Sequence, residues 1–266
     1  MKRILTIAGS DSGGGAGIQA DIKTITVLGA YGMSVITAVT AQNTIGVQGV
    51  HPVPVSFIEK QMESVLSDIG ADAVKTGMLA TGEVVEAVVG KLRKYRVQHL
   101  VVDPVMVSTS GDPLLSQDAV EVMKKALFPL ADLVTPNLSE AALLCGFPVG
   151  SLSEMQKSAE RIHHLGPRYV LIKGGHHEGE ALDLLFDGHS FSNLTAARIH
   201  TKNTHGTGCT LSAALATFLA QGWSMGDAVK KAKKFITRAI ASGLKIGAGH
   251  GPTNPYSHIQ QEISEQ

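Results

Sequence analysis

The feature of this sequence that most limits its possible folds is an alternation of short apolar runs with segments of helical periodicity. Six runs rich in Val, Ile and Leu recur along the chain, at residues 3–9, 34–42, 72–79, 99–106, 132–137 and 169–175. Several of these runs are continuously apolar rather than alternating, which is typical of strands that are covered on both faces. We therefore predict a buried, mostly parallel β-sheet.

The segments between the runs carry apolar residues at the spacing of an amphipathic helix. In residues 83–95 they recur on one helical face, at Val84, Val85, Val88, Val89 and Leu92. A first helix is expected to begin near Ile18, and the pattern predicts others at residues 57–67, 116–128, 138–145, 152–165, 209–221 and 224–243. Strands that alternate with helices indicate an α/β fold with right-handed crossovers.

One region, residues 181–199, breaks this alternation. Two extended runs there flank Asp187-Gly188, a favoured hairpin turn, so we predict an antiparallel hairpin. No linker rich in Pro or Ser and no internal repeat divides the sequence. We therefore expect a single domain over residues 1–257 with a small hairpin excursion, followed by a loosely held polar tail over residues 258–266.

Composition argues against several classes of function. Of the 266 residues 44% are hydrophobic and 17% charged, as in a globular protein with a full core. Lys plus Arg and Asp plus Glu balance at 23 each, so no basic field would attract a nucleic acid. Two cysteines cannot form a disulfide framework, and the first apolar run is broken by Gly9 and Asp11 rather than built like a signal peptide. We expect a cytoplasmic protein with no membrane partner.

A glycine-rich segment, GSDSGGGAGIQAD at residues 9–21, follows the first predicted strand. Its glycines at 13, 14, 15 and 17 would let a ligand approach the backbone closely. The spacing departs from that of a dinucleotide loop, the next strand does not end in an acid for a ribose, and no P-loop lysine is present. A tight turn that needs glycine remains the alternative, as does a dinucleotide site of an oxidoreductase.

Polar residues follow the other predicted strands. Gln42 carries a carboxamide, which donates and accepts hydrogen bonds and so suits the edge of a heterocycle. Asp103 and Glu140 could hold Mg²⁺ together, but Asn137 and Glu140 could equally form a helix capping box. Lys173 offers a cation for a phosphate, or is an ordinary lysine at a glycine turn. These alternatives stay open at the level of sequence.

The segment NTHGTGCT at residues 203–210 leads directly into a predicted helix. Because a helix N-terminus leaves unpaired amides and a partial positive charge, four amides would point at one spot, those of Gly206, Thr207, Gly208 and Cys209. Such an anion hole fits the charge on a transferring phosphoryl group. The same field is expected to lower the pKa of Cys209, with a buried structural thiol as the alternative. Cys145, in an apolar run, is expected to be such a buried thiol.

Taken in order, seven motifs resemble those of a known family: GSDSGGGAGIQAD, AQNT, KTGML, DPVM, TPNLSEA, IKGGH and NTHGTGCT. The chain resembles, over about residues 3–255, the hydroxymethylpyrimidine and hydroxymethylpyrimidine-phosphate kinases of thiamine biosynthesis, in the ribokinase-like superfamily. The resemblance implies a three-layer α/β/α sandwich, often a homodimer, that uses ATP and Mg²⁺. It also implies phosphorylation of 4-amino-5-hydroxymethyl-2-methylpyrimidine and then of its monophosphate.

The resemblance assigns one group of residues to the substrate pocket. Gln42 matches the glutamine that reads the pyrimidine, Asp21 an acid lining the pocket, and Met78 an apolar contact near the ring. Gly9, which opens the first motif, is placed with them. A pyridoxal or pyridoxine kinase is the close alternative, because its acceptor is also an aromatic ring with a hydroxymethyl group. A ligand-binding sensor without catalysis is the non-enzymatic alternative.

The resemblance assigns a second group of residues to the part of the site that binds phosphate. By resemblance, Asp103 and Glu140 are the acids on the magnesium side, and Lys173 and Asn137 contact phosphate or ATP. Cys209 occupies the position where sugar kinases of the superfamily have an aspartate base. Two further candidates could hold the acceptor's own phosphate, His205 and the histidine pair at 176–177.

Overall fold

The computed structural model describes residues 1–106, 115–175 and 181–264. The strands are β1 (Arg3–Asp11), β2 (Tyr31–Gln42), β3 (Val47–Pro52), β4 (Ala73–Thr76), β5 (Leu100–Val102), β6 (Leu133–Val134), β7 (Tyr169–Gly174), β8 (Ala181–Phe186) and β9 (Phe191–Ala196). The helices are α1 (Gly17–Val27), α2 (Val55–Asp68), α3 (Gly82–Lys94), α4 (Gln117–Val122), α5 (Leu138–Cys145), α6 (Leu152–His163), α7 (Thr207–Ala220), α8 (Met225–Ala241) and α9 (Ser257–Ser264).

The described strands form one sheet in the order β3-β2-β1-β4-β5-β6-β7-β8-β9. Neighbours from β2 to β7 pair in parallel, whereas β3, β8 and β9 pair antiparallel with their neighbours. The mostly parallel sheet and the hairpin are thereby confirmed, and the hairpin strands β8 and β9 extend the sheet beyond β7. Strand β3 has no counterpart among the predicted strands, because five of its six residues are exposed and it lacks an apolar run.

Helices cover both faces of the sheet and confirm the predicted three-layer sandwich. Leu5 and Ile7 of β1 pack in one core cluster with residues of helices α2, α3, α5 and α6. Ile4, on the opposite face of the same strand, packs in a second cluster with α1, α7 and α8. Successive strand residues point to opposite faces, so a strand buried on both sides needs the continuous apolar run seen in the sequence.

Three departures from the predicted elements concern a change of helix type, the start of α7 and the C-terminal tail. The helix predicted over 116–128 is α for only six residues, then widens into a π-helical turn at Met123–Leu127 and narrows into a 3₁₀ turn at Phe128–Leu130. Helix α7 begins two residues before the predicted start at 209. The segment predicted as a loose tail forms α9, where the His258 ring packs 5.5 Å from that of Phe235, centroid to centroid.

The connectivity places a crevice at the carboxyl ends of the central strands. From β1 the chain passes to β2 on one side and later returns to β4 on the other side of β1. Ligands of open α/β sheets bind at such a switch point, outside the carboxyl ends of the strands. In the ranges that the structure describes, none of the helices combines the length and the apolar character needed to cross a membrane.

Candidate active site

A cavity of about 1100 Å³ lies at this carboxyl edge of the sheet. It is bounded by the end of β1, by Ala16 and Gly17 of the glycine-rich segment, by the ends of β2, β5, β6 and β7, and by the N-terminus of α7. Gly13, Gly14 and Gly15 of that segment line a separate pocket. The site residues predicted from the sequence line it with the exception of Asp21, namely Gly9, Gln42, Met78, Asp103, Asn137, Glu140, Lys173, Gly206, Thr207, Gly208 and Cys209. The fold therefore brings both predicted groups, substrate pocket and phosphate end, to one cavity.

The N-terminus of α7 is held tightly against the first glycine-rich segment. Gly206 caps the helix with a φ of 78°, a left-handed conformation that favours glycine. A side chain at this position would overlap the carbonyl oxygen of Gly15. Gly206 is thus required both by its own backbone and by the neighbouring loop.

Three of the four amides predicted to form an anion hole remain available. The amide of Thr207 donates to the Thr204 carbonyl at 3.2 Å, so the expectation for this amide is wrong. Within the part of the chain that the structure describes, the remaining amides have no hydrogen-bond partner, those of Gly206, Gly208 and Cys209. They lie where the positive end of α7 meets the cavity, which is the arrangement an anion requires.

The thiol of Cys209 does not behave as the sequence predicted. Burial raises its pKa to about 11, and the charges of Asp21 and Asp103 act in the same direction. Lys75 and the amide of Gly17 oppose this change without cancelling it. The predicted lowering of the pKa is therefore wrong, because the desolvation of the thiolate exceeds the stabilisation by Lys75 and the Gly17 amide. Cys145 is a buried thiol, as expected, and donates to the Ser158 carbonyl at 3.7 Å.

Asp103 and Lys173 form an ion pair on the wall of the cavity. The Lys173 Nζ lies 2.8 Å from Asp103 Oδ1 and 4.0 Å from Glu140 Oε2. Asp103 also accepts from Thr135 Oγ1 at 3.2 Å and from Ser212 Oγ at 3.3 Å. Burial raises the pKa of the Asp103 carboxyl, but Lys173 and Lys75 outweigh this and lower it, so Asp103 is ionised.

Glu140 has a different environment. Burial raises its pKa to about 7, and the charge of Asp103 adds to this, although Lys173 acts in the opposite direction. The carboxylate also completes a capping box on α5: the Asn137 amide donates to Glu140 Oε2 at 2.8 Å, and the Glu140 amide donates to Asn137 Oδ1 at 2.9 Å. The capping-box interpretation is confirmed, and both residues still line the cavity.

The donor set fits a magnesium ion that keeps most of its water. No group of three or more His, Cys, Asp or Glu that could hold a metal occurs among the residues that the structure describes. Mg²⁺, however, usually takes one or two carboxylates and completes its shell with waters and phosphate oxygens. Asp103 and Glu140 supply that number of carboxylates on the cavity wall, on either side of Lys173.

The opposite end of the cavity is shaped by Gln42, Met78 and Gly9. The Thr40 hydroxyl lies 2.9 Å from the Ser10 carbonyl oxygen and 3.0 Å from Gln42 Oε1, and the Gln42 amino group has no partner among the described residues. Met78 is only 8% exposed, and a side chain at position 9 would come within 2.5 Å of its Cε atom. Gly9 therefore makes room for Met78 in the wall.

Asp21 lies outside the cavity, which corrects the expectation that it lines the substrate pocket. Its carboxylate is fully buried and contacts Lys75 Nζ at 2.8 and 3.0 Å, and Thr6 Oγ1 donates to it at 2.6 Å. Lys75 was not among the residues predicted from the sequence, although a lysine in an apolar strand signals a buried acidic partner. The opposing charge requires Asp21 to turn inward toward β4.

His205 is engaged with a partner that the sequence did not suggest. Its Nε2 lies 2.8 Å from Asp11 Oδ2, and both side chains are almost completely buried. This nitrogen is therefore not open to the phosphate of an acceptor. The histidine pair at 176–177, the other candidates for that role, lies outside the described residues.

Comparison with solved structures defines the class of protein. The structure matches the ADP complex of Bacillus subtilis pyridoxal kinase with a TM-score of 0.91 and 38% identity, covering 97% of this chain and 98% of that chain. The sheet order, the cavity and the helix N-terminus together define a ribokinase-like kinase fold. A model of the family described as phosphomethylpyrimidine kinase matches residues 11–254. The chain belongs to this family, which confirms the resemblance found in the sequence.

Two curated relatives illustrate the match. The chain is 54% identical over 252 residues to the thiamine biosynthesis bifunctional protein ThiED of Geobacter sulfurreducens, covering 94% of this chain and 51% of that protein. It is 48% identical over 266 residues to the hydroxymethylpyrimidine/phosphomethylpyrimidine kinase of Bacillus subtilis, covering 99% and 98% respectively. The chain thus spans about half the length of the first relative and nearly all of the second.

Proposed function

We propose that this protein is an ATP-dependent kinase that phosphorylates 4-amino-5-hydroxymethyl-2-methylpyrimidine and then phosphorylates the monophosphate to the diphosphate. Membership of the phosphomethylpyrimidine kinase family and the name of the full-length Bacillus subtilis relative support this function. The observation that carries it is the set of unpaired amides at the start of α7, which open into the same cavity as the carboxamide of Gln42. One end of the cavity suits phosphate and the other suits a heterocycle.

At the phosphate end, charge stabilisation is the main contribution. The amides of Gly206, Gly208 and Cys209 would donate to the transferring phosphoryl group, and Lys173 would place its ammonium beside them. Asp103 and Glu140 would hold Mg²⁺, and Asn137 would contact the nucleotide. When bound, the ion neutralises charge on the phosphates.

At the acceptor end, the proposed contacts orient the ring. The carboxamide of Gln42 would face the edge of the ring, where it can donate to a ring nitrogen and accept from the neighbouring amino group. Met78 would pack against the ring, in the space that Gly9 leaves open. These groups hold the hydroxymethyl oxygen toward the start of α7, which converts a bimolecular reaction into an oriented one.

Cys209 is proposed as a group that touches the reacting atoms but is protonated before reaction. With a pKa of about 11 its thiol is neutral at pH 7. Phosphoryl transfer depends mainly on positioning and on charge stabilisation rather than on removal of the hydroxyl proton by a strong base. The backbone amide of Cys209 therefore matters more in this proposal than its side chain.

The family resemblance also leads us to propose a homodimer, a kinase domain over residues 1–257 and a cytoplasmic location. Both cysteines are free thiols, which suits a reducing compartment. Size-exclusion chromatography with light scattering would test the dimer.

The experiment that tests the function is an acceptor screen with purified protein, ATP and Mg²⁺, with products identified by mass spectrometry. We expect phosphorylation of the pyrimidine alcohol and of its monophosphate. Pyridoxal is included as a second acceptor, because the matched Bacillus subtilis structure is named a pyridoxal kinase. Turnover of pyridoxal without turnover of the pyrimidine monophosphate would replace the proposed function with that alternative, and no turnover of any acceptor would refute both.

A further inference from the structure

A buried carboxylate joins the two glycine-rich loops of the cavity. Asp11 ends β1 and is only 3% exposed. Its Oδ1 accepts from the Gly13 amide at 2.8 Å, and its Oδ2 accepts from the amides of Gly15 at 3.0 Å and Ala16 at 2.8 Å. The same Oδ2 lies 2.8 Å from His205 Nε2. A single side chain therefore organises the first loop and reaches across to the segment that leads into α7.

The other partner, His205, is fixed by its own backbone. Its amide donates to the Gly251 carbonyl at 3.1 Å, and its carbonyl accepts from the Thr253 amide at 3.2 Å. The next residue is Gly206, the first residue of the anion hole, which abuts the Gly15 carbonyl with no room for a side chain. His205 thus connects three segments that are distant in sequence, immediately before the unpaired amides.

The chemistry of the contact is directional. A carboxylate can only accept, so the Nε2 atom of His205 carries the hydrogen that lies between the two residues. Burial raises the pKa of Asp11, but the hydrogen bonds from His205 and from the amides of Ala16 and Gly13 outweigh this and lower it. The carboxylate is therefore ionised and has a donor for each of its contacts, which makes the arrangement rigid.

We propose that Asp11 and His205 are positioning residues, which hold the first glycine loop against the N-terminus of α7 and so align the free amides of Gly206, Gly208 and Cys209 with the phosphoryl group. This inference rests on the proposed kinase function. Neither side chain donates to the phosphoryl group in this role. Small displacements of such groups reduce rates strongly, by about 10²-fold for about 1 Å.

The test compares two variants that differ only in reach. His205→Gln places a side-chain amide near the position of Nε2, whereas His205→Asn is one methylene too short to reach Asp11 Oδ2. With ATP and the pyrimidine alcohol we expect kcat of H205N to fall by roughly 10–100-fold, and kcat of H205Q to stay within about threefold of the original protein. The KM values for both substrates should change by less than about threefold, because the substitution does not change the groups that bind the substrates before reaction.

Two further measurements separate positioning from a merely structural role. Inhibition by ADP with aluminium fluoride, a mimic of the transferring phosphoryl group, should weaken in H205N in parallel with kcat, whereas inhibition by ADP alone should not. Asp11→Asn should also lower kcat, because in either orientation of the carboxamide its amino group faces a donor, either the Gly13 amide or the donors of Gly15, Ala16 and His205. Circular dichroism and thermal denaturation establish whether each variant is folded. If H205N is not folded, the kcat of D11N tests the positioning role instead.

The outcomes are distinct from those of the acceptor screen. If the original protein phosphorylates the acceptor but folded H205N has unchanged kcat, or H205Q is no better than H205N, the positioning role is refuted while the kinase function stands. If the original protein phosphorylates none of the acceptors, the proposed function itself is refuted, and the positioning role that depends on it is refuted as well.

Discussion

Two lysine–aspartate pairs lie near the carboxyl edge of the sheet, and they differ in their access to solvent. The closed pair, Asp21–Lys75, has a shortest separation of 2.8 Å and side chains that are 0% exposed. The open pair, Asp103–Lys173, has the same separation, but the Lys173 side chain is 14% exposed and both residues line the cavity. The same type of ion pair therefore occurs once in the protein core and once on the wall of the cavity.

The surroundings explain what each pair can do. In the closed pair, Thr6 supplies the remaining hydrogen bond of Asp21. Burial lowers the pKa of Lys75, but the negative charges of Asp21 and Asp103 outweigh burial and raise this pKa. In the open pair, Glu140 stands 4.0 Å from the lysine, and a ligand can reach both charges. A buried pair that loses one partner is left with an uncompensated charge, whereas an accessible lysine can exchange a carboxylate for a phosphate. The difference predicts stability effects for one pair and kinetic effects for the other.

The largest effect is expected from breaking the closed pair. Lys75→Met leaves the Asp21 carboxylate buried without its counter-charge, so the free energy of unfolding should fall by about 3–5 kcal/mol. Guanidinium denaturation measures this as a lower midpoint at unchanged slope. The control is the double variant Asp21→Asn/Lys75→Met, which removes both charges and should recover much of the loss. A loss below about 1 kcal/mol in K75M would contradict the structural role of the pair.

Breaking the open pair should affect catalysis more than stability. Lys173→Met removes a cation at the phosphate end, and we expect kcat to fall by about 10²–10³-fold, as when one donor to a developing charge is removed. Its free energy of unfolding should change by less than half the loss in K75M, because water in the cavity can solvate Asp103. An equal loss of stability in the two variants, measured by the same denaturation, would show that access to solvent does not separate the pairs.

The two pairs also illustrate how much of the fold and of the site could be predicted from the sequence. The α/β class and the hairpin depend on local pattern, so the sequence predicted them correctly, and the capping box of Asn137 and Glu140 was one of the two alternatives that the sequence left open. The positions of Asp103, Lys173 and Gln42 at the cavity follow from their places at strand ends. Strand β3 was missed, because its pairing with β2 is not encoded in an apolar run.

What could not be predicted depends on contacts between distant segments. Asp21 shares its segment with the glycine loop, and only the approach of Lys75, 54 residues away, turns its carboxylate into the core. The Asp11–His205 contact joins residues 194 positions apart. The pKa of Cys209 depends on burial, which is a property of the assembled fold, and burial raises this pKa where the local sequence suggested that it would be lowered.

A smaller effect is expected at the acceptor end, far from the phosphate contacts of the open pair. Gln42→Ala removes hydrogen bonds to the ring that persist throughout the reaction, at about 0.5–1.5 kcal/mol each, so the KM for the acceptor should rise roughly tenfold. The kcat and the KM for ATP should stay close to their original values, and Lys173→Met provides the opposite pattern as a reference. An unchanged acceptor KM would show that Gln42 does not read the ring.

The smallest effect is expected at Cys209, whose pKa is influenced by both pairs. Lys75 lowers this pKa and the two aspartates raise it, but burial dominates and leaves a pKa of about 11. Between pH 7 and 9 the thiolate fraction should therefore rise about tenfold per pH unit. Alkylation by iodoacetamide in a Cys145→Ser background measures this fraction, because Cys209 is then the sole thiol. A rate that levels off by pH 8 would instead indicate a thiolate already formed near neutrality.

The raised pKa of Cys209 also determines the expected kinetics of Cys209→Ala. A thiolate base would contribute about 10²–10⁴-fold, so its removal would reduce kcat by that factor. A thiol that is protonated at neutral pH cannot act as that base before the substrate binds, and the variant keeps the amide of residue 209. We therefore expect kcat of C209A to fall by less than about tenfold at pH 7, with C209S as the matched control for volume. A loss above a hundredfold would mean that ligand binding shifts the balance between burial and Lys75 enough to ionise the thiol, and the closed pair would then take part in catalysis as well as in stability.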